Sequence, residues 1–137
     1  MRERQERIQH VLERLIEESS NGIPIVVEGK KDVETLRQLG VEGKIISAKT
    51  GGKSRLDVVC EIEESGAKEV IMLFDFDRRG REWTKAFGQH LERAKIKPHL
   101  DFWNELLRFA GKDIKDIESL TAYTRTLKKK VGETFQE

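Results

Sequence analysis

Three carboxylates in this chain stand directly after apolar runs. Glu28 follows the run in "PIVVEGKKD" (24–32), and Asp75 and Asp77 follow the run in "VIMLFDFDRRG" (70–80). A buried strand normally stops at a turn residue, and an acid at its tip is costly unless something there needs the charge. In an open α/β sheet, ligands bind beyond the carboxyl ends of the strands. If the two runs are neighbouring strands, the three acids converge at one edge. Asp75 and Asp77, two apart in an extended chain, then share a face. Carboxylates held together repel and need a cation or a raised pKa. Oxygen donors with no cysteine or histidine beside them suit Mg²⁺ or Mn²⁺. Magnesium typically takes one or two protein carboxylates, which leaves the third for proton transfer. A lone D-x-D reads more simply as a solvated strand end or helix cap; its pairing with "EG" after a second apolar run favours a site.

A polyanionic substrate also requires cations at that edge. Lys44, Lys49, Lys53 and Arg55 occur between Gly43 and Leu56 with no acid among them, and Gly51 and Gly52 would let backbone N–H groups approach a phosphate. Lys30 and Lys31 follow Glu28, and Arg78, Arg79 and Arg81 follow the aspartates. Arg78 and Arg79 open a helix, where they either clamp a phosphate or balance the acids. Arg125, Lys128, Lys129 and Lys130 read as an ordinary basic helix end. His90 sits on an apolar helical stripe, Cys60 reads as a small core hydrophobe, and Trp83, Phe87, Phe102 and Trp103 read as core.

The elements that must position these groups follow from periodicity. Ile8, Val11, Leu12, Leu15 and Ile16 form one stripe of an N-terminal helix. "IPIVV" (23–27), "KIIS" (44–47) and "EVIMLF" (69–74) read as strands. "IKPHL" (96–100) reads as an edge strand, because Pro98 lacks an N–H donor. Helices are expected between the strands, with stripes Val33, Leu36, Leu39 and then Leu56, Val59, Cys60, Ile62. Two more are expected over 101–110 and 116–131, the latter with Ile117, Leu120, Thr124, Leu127 and Val131 inward. Strand–helix alternation predicts an α/β fold with a mainly parallel four-stranded sheet between helices. The 137 residues suit a single domain, with a core at about 23–100 and helical additions at 1–20 and 101–131. A net charge of +1 locates no partner, so local clustering has to. One cysteine fits a reducing compartment, and no apolar run approaches the roughly 20 residues that span a bilayer. The start "MRERQERIQH" lacks a following signal-peptide core, so the expected location is cytoplasmic.

"VVEGKKD" followed by "LFDFDRRG" resembles the Toprim domain of topoisomerases, primases, OLD-type nucleases and the ribosomal-RNA maturase of some bacteria, and above all the small stand-alone Toprim proteins. Glu28 and Gly29 match the first motif; Asp75, Asp77 and Gly80 match the second; Asp32 fits an acidic position that often follows the first. The resemblance covers roughly 23–100. It implies a Rossmann-like sheet, Mg²⁺ at the aspartates and a glutamate acting as general acid or base in phosphoryl transfer. The expected activity is therefore Mg²⁺-dependent phosphodiester hydrolysis on RNA or DNA. Asp75 and Asp77 hold the metal, and Glu28 handles the proton or a second metal. Gly29 lets substrate approach, Asp32 orients Lys30 or a bound water, and Lys49, Gly51, Gly52, Lys53, Arg55, Arg78 and Arg79 meet phosphate. Tyr123 is read as a packing or surface residue rather than a topoisomerase nucleophile, and no G-x-x-x-x-G-K-[ST] loop occurs. The alternative is a non-catalytic nucleic-acid-binding module whose partner protein supplies the grip on substrate.

Overall fold

In the computed structural model, which describes residues 2–110 and 114–123, the strands are Ile25–Val27 (β1), Ile45–Ser47 (β2), Glu69–Leu73 (β3) and Lys97–His99 (β4). The helices are Arg2–Ser20 (α1), Lys30–Leu39 (α2), Arg55–Glu64 (α3), Arg78–Arg93 (α4) and Asp101–Leu107 (α5). All strand pairs are parallel, in the order β2-β1-β3-β4. The α/β architecture expected from the alternation is therefore present, and Pro98 lies in the edge strand opposite Val70.

Successive strand residues point to opposite faces, and the two halves of the core follow. Ile25, Val27, Ile71 and Leu73 pack with Leu12 and Leu15 of α1, Leu36 of α2 and Phe102 and Leu106 of α5. Val26, Val70, Met72 and Phe74 pack with Val58 and Ile62 of α3 and Phe87 and Leu91 of α4. Burial on both faces is why β1 and β3 are uninterrupted apolar runs rather than alternating ones. The chain leaves β1 toward β2 on one side and leaves β3 toward β4 on the other. The strand order thus reverses between β1 and β3, where an open α/β sheet forms its crevice. Val27 and Leu73 are paired in register, so Glu28 and Asp75 emerge together at that crevice.

Trp103 ties α5 to this edge. Its Nε1 donates to the buried carbonyl of Phe74 at 2.8 Å, one residue before Asp75. Its ring also lies against Phe76, with centroids 6.1 Å apart.

Two expectations are corrected. The third helix buries Val58, Val59 and Ile62, so Cys60 is exposed rather than core and Leu56 is 64% exposed. Over 116–131 the described part is not an α-helix: Glu118–Tyr123 is a 3₁₀ turn. Ile117 and Leu120 are buried as the stripe required, and Thr124, Arg125, Leu127, Lys128, Lys129, Lys130 and Val131 lie outside the described residues. Among the described residues, no helix is long and apolar enough to cross a membrane.

Trp103→Phe keeps the ring but leaves the Phe74 carbonyl without its donor. The expected cost is about 1–3 kcal/mol, the usual penalty for an unsatisfied buried polar group. Urea unfolding should show a lowered midpoint at unchanged slope; an unchanged midpoint would mean the bond does not hold the strand end.

Candidate active site

Glu28 follows β1, is 7% exposed, and has both carboxylate oxygens engaged. Oε1 accepts the backbone N–H of Asp75 at 3.2 Å, and Oε2 pairs with Lys49 Nζ at 3.0 Å. The Lys49 backbone N–H also donates to the Glu28 carbonyl at 2.9 Å, continuing the β1–β2 ladder past its last strand residues. Lys49 Nζ lies 5.2 Å from the centroid of the half-buried Trp83 ring, a second favourable contact for its charge. One carboxylate therefore joins the ends of β1, β2 and β3.

Asp75 faces the same cavity, about 260 Å³ lined by Glu28, Gly29, Lys30, Lys31, Asp32, Lys49, Asp75, Asp116 and Glu118. Burial, then the charges of Glu28 and Asp32, push its carboxyl up to about 6, against a backbone hydrogen bond from Ile117. Its Oδ1 is buried without a hydrogen-bond partner among the described residues. Asp32 is also raised, mainly by burial and partly by Glu28, although the Gly29 N–H lowers it. That N–H donates to Asp32 Oδ2 at 3.0 Å, so Asp32 caps the start of α2 while lining the cavity.

Asp77 does not share Asp75's direction. The strand ends at Leu73, so the two-residue alternation no longer applies, and Asp77 becomes the N-cap of α4. Its Oδ1 accepts from Gly80 N at 2.7 Å. It is exposed on a separate depression with Phe76, Arg81, Ala110 and Lys115. Gly80 is required for close approach, because a Cβ there would collide with the Asp75 carbonyl oxygen. Among the described residues, no three His, Cys, Asp or Glu side chains are grouped so as to hold a metal ion between them. A buried orphan oxygen within a set of hard donors nevertheless fits one divalent cation at Asp75, with water completing its shell.

The basic residues divide. Lys49 belongs to the acidic cluster, and Lys30 and Lys31 are exposed at the start of α2 on the same cavity. Gly51 and Gly52 adopt positive φ (75° and 69°) in the short 3₁₀ turn after Lys49. Lys53 pairs with Glu61 at 2.9 Å, Arg78 with Glu82 at 3.3 Å, and Arg55 and Arg79 are exposed. The sequence reading missed Asp116 and Glu118. Their signal was the acidic "KDIES" around the buried Ile117, but the segment was read as a helix face.

A family model described as "Toprim domain" matches residues 23–105. The chain is 37% identical over 136 residues to a UPF0292 protein of Methanosarcina acetivorans, covering 99% of this chain and 92% of that one. It is 43% identical over 119 residues to a UPF0292 protein of Methanocaldococcus jannaschii, covering 86% and 90%. A solved structure of an Aquifex aeolicus protein superposes with a TM-score of 0.68 at 27% identity, covering 80% of this chain and 94% of that one.

The raised pKa of Asp75 has a stability consequence. Between its unfolded value near 3.8 and about 6, the folded chain holds the proton more tightly, so stability present at acid pH is lost as pH rises through that window. The full shift would be about 3 kcal/mol; with water reaching the cavity mouth, about 1–2 kcal/mol is expected. Asp75→Asn should raise Tm at pH 7 and leave it unchanged at pH 4, measured without metal. A lower Tm at pH 7 would show that Asp75 is not electrostatically penalised.

Proposed function

The chain belongs to the Toprim family, with UPF0292 proteins as relatives, and on that basis we propose that it is a Mg²⁺-dependent phosphodiester hydrolase acting on nucleic acid. Toprim domains bind Mg²⁺ through acidic side chains, and the family is associated with metal-dependent work on nucleic acid. The observation that carries the finer reading is Asp75: a half-buried carboxylate beside two others, whose buried Oδ1 has no partner among the described residues. A group in that state gains most from a cation.

Asp75 would hold the ion, while Asp77, on its separate depression, keeps the α4 cap. A bound Mg²⁺ supplies Lewis-acid stabilisation of charge on a phosphoryl group. The remaining work falls to the chain. Lys30 and Lys31, with the free N–H groups at the start of the ten-residue α2, bind phosphate. Gly29 presents backbone without a side chain. Glu28 Oε2 takes or returns a proton, and Lys49 and the Asp75 N–H hold that carboxylate in one orientation.

The same engagement of both Glu28 oxygens supports a second reading, a nucleic-acid-binding module without its own catalysis. The two separate in one experiment with labelled single- and double-stranded RNA and DNA in Mg²⁺, Mn²⁺ or EDTA. The hydrolase predicts cleavage that EDTA abolishes and that Glu28→Gln lowers about 10²-fold or more, the usual scale of a lost general acid or base. Asp75→Asn should also lose the rise in Tm that Mg²⁺ gives the unsubstituted protein. Asp77→Asn, which keeps the α4 cap on the separate depression, should leave both the fold and the metal dependence intact. Cleavage that survives EDTA or Glu28→Gln refutes the hydrolase, while salt-dependent binding with no cleavage transfers support to the module.

A further inference from the structure

The segment after α5 reaches back across the crevice. Ile114, Ile117 and Leu120 are fully buried, and the turn Glu118–Tyr123 packs on α2. Anchored in this way, the segment delivers Asp116 and Glu118 to the cavity of Glu28 and Asp75. Asp116 is fixed there by the Ser119 N–H and hydroxyl, each 2.9 Å from its Oδ1. The electrostatic reach of the pair is visible in their neighbours: Asp116 raises the pKa of Asp75 and Asp32, and Glu118 raises that of Asp32. Without the segment, the lining would hold three carboxylates against three lysines; with it there are five against three. One of those lysines, Lys49, is already paired with Glu28.

That balance bears on the substrate, and the inference rests on the nucleic-acid reading above. A duplex brings two phosphate backbones and the higher charge density, about one charge per 1.7 Å of axis. It therefore needs cations on more than one side of the contact. Here the cavity's cations other than the Glu28-paired Lys49 are Lys30 and Lys31, both from the start of α2, and to that lining the segment after α5 contributes only the two acids Asp116 and Glu118. At about 260 Å³ the cavity is also smaller than most small-ligand sites, which begin near 300 Å³. It accommodates one phosphodiester with its sugar, presented by a flexible strand. We infer that the site takes single-stranded nucleic acid and rejects duplex, with Asp116 and Glu118 as specificity-determining residues.

Fluorescence anisotropy with one labelled oligonucleotide, single-stranded and as its duplex, tests this in Mg²⁺ at a fixed low salt concentration. The full chain should bind the single strand at least about tenfold more tightly, the factor that one or two charge contacts supply in water. Glu118→Gln, at an exposed position, should narrow the ratio about threefold, and the Asp116→Asn/Glu118→Gln pair should bring it close to one by strengthening duplex binding. Circular dichroism checks that the variants are folded, and the single substitution at Glu118 serves if the pair is not. Equal affinity for both forms, a preference for duplex, or a ratio unchanged in folded variants overturns the inference while leaving the nucleic-acid reading intact. No binding to either form refutes that reading itself, and the inference with it.

Discussion

The Glu28 carboxylate is the constraint on which the rest of this edge depends. β1 and β2 are three residues long, so their ladder alone fixes the strand ends weakly. Glu28 adds a bond to the Asp75 N–H on one side and the Lys49 ammonium on the other. A charge this buried is tolerated only when paired and hydrogen-bonded. Removing either partner would therefore displace the groups around it as well as Glu28 itself. On the β3 side, Trp103 holds the Phe74 carbonyl and Gly80 admits the Asp75 carbonyl against α4. Asp75 is thus located by its backbone from both directions.

That explains how an unfavourable arrangement persists. Left to itself, the Asp75 carboxylate would turn away from Glu28 and Asp32 toward water. The Ile117 backbone hydrogen bond holds the carboxyl against this, and the cost appears as a carboxyl pushed up to about 6 and an oxygen without a partner among the described residues. Local energetic conflict held in place by a well-packed surround is the usual mark of a functional site. Elsewhere in the described residues, the acids follow ordinary rules: Asp57 is stabilised by the Ser54 cap, and Lys53 meets Glu61.

Much of this was legible in the sequence, for physical reasons that can be named. Strands buried on both faces read as short β-branched runs, so "IVV" and "VIML" were legible as strands, though their adjacency was only a condition, and a proline identified the edge strand. Acids ending two such runs signalled the crevice, because apolar strands rarely end that way without cause. What failed was whatever depended on direction or on distant packing. Asp77 lies beyond the last strand residue, where the two-residue alternation stops, and its side chain serves the helix instead. Cys60 and Leu56 fell off the buried face of α3 because a ten-residue helix admits two nearby stripes, and only contact with Phe87 and Leu91 selects one. Asp116 and Glu118 arrive from far along the chain, on a turn whose inward residues have the spacing of a helix, so nothing local distinguished them.

The division of labour between Lys49 and the cation expected at Asp75 separates folding from metal binding. Glu28 is neutralised within the chain, so the sheet edge can form with no ion present, and the apolar core on both faces provides the stability. This differs from small metal sites, where binding energy is folding energy. Asp75 is left without a counter-charge among the described residues, and an ion that meets it would relieve repulsion that already exists in the folded state. On the reading proposed above, affinity for an ion would be set by how strongly Glu28, Asp32 and Asp116 press on Asp75, and changing those acids would tune it without touching the core. The segment after α5 acts on this same quantity: by adding Asp116 and Glu118 it strengthens the demand for a cation while making the cavity less hospitable to a bare polyanion. On the proposed reading, a phosphodiester arriving with its cation would satisfy both conditions at once.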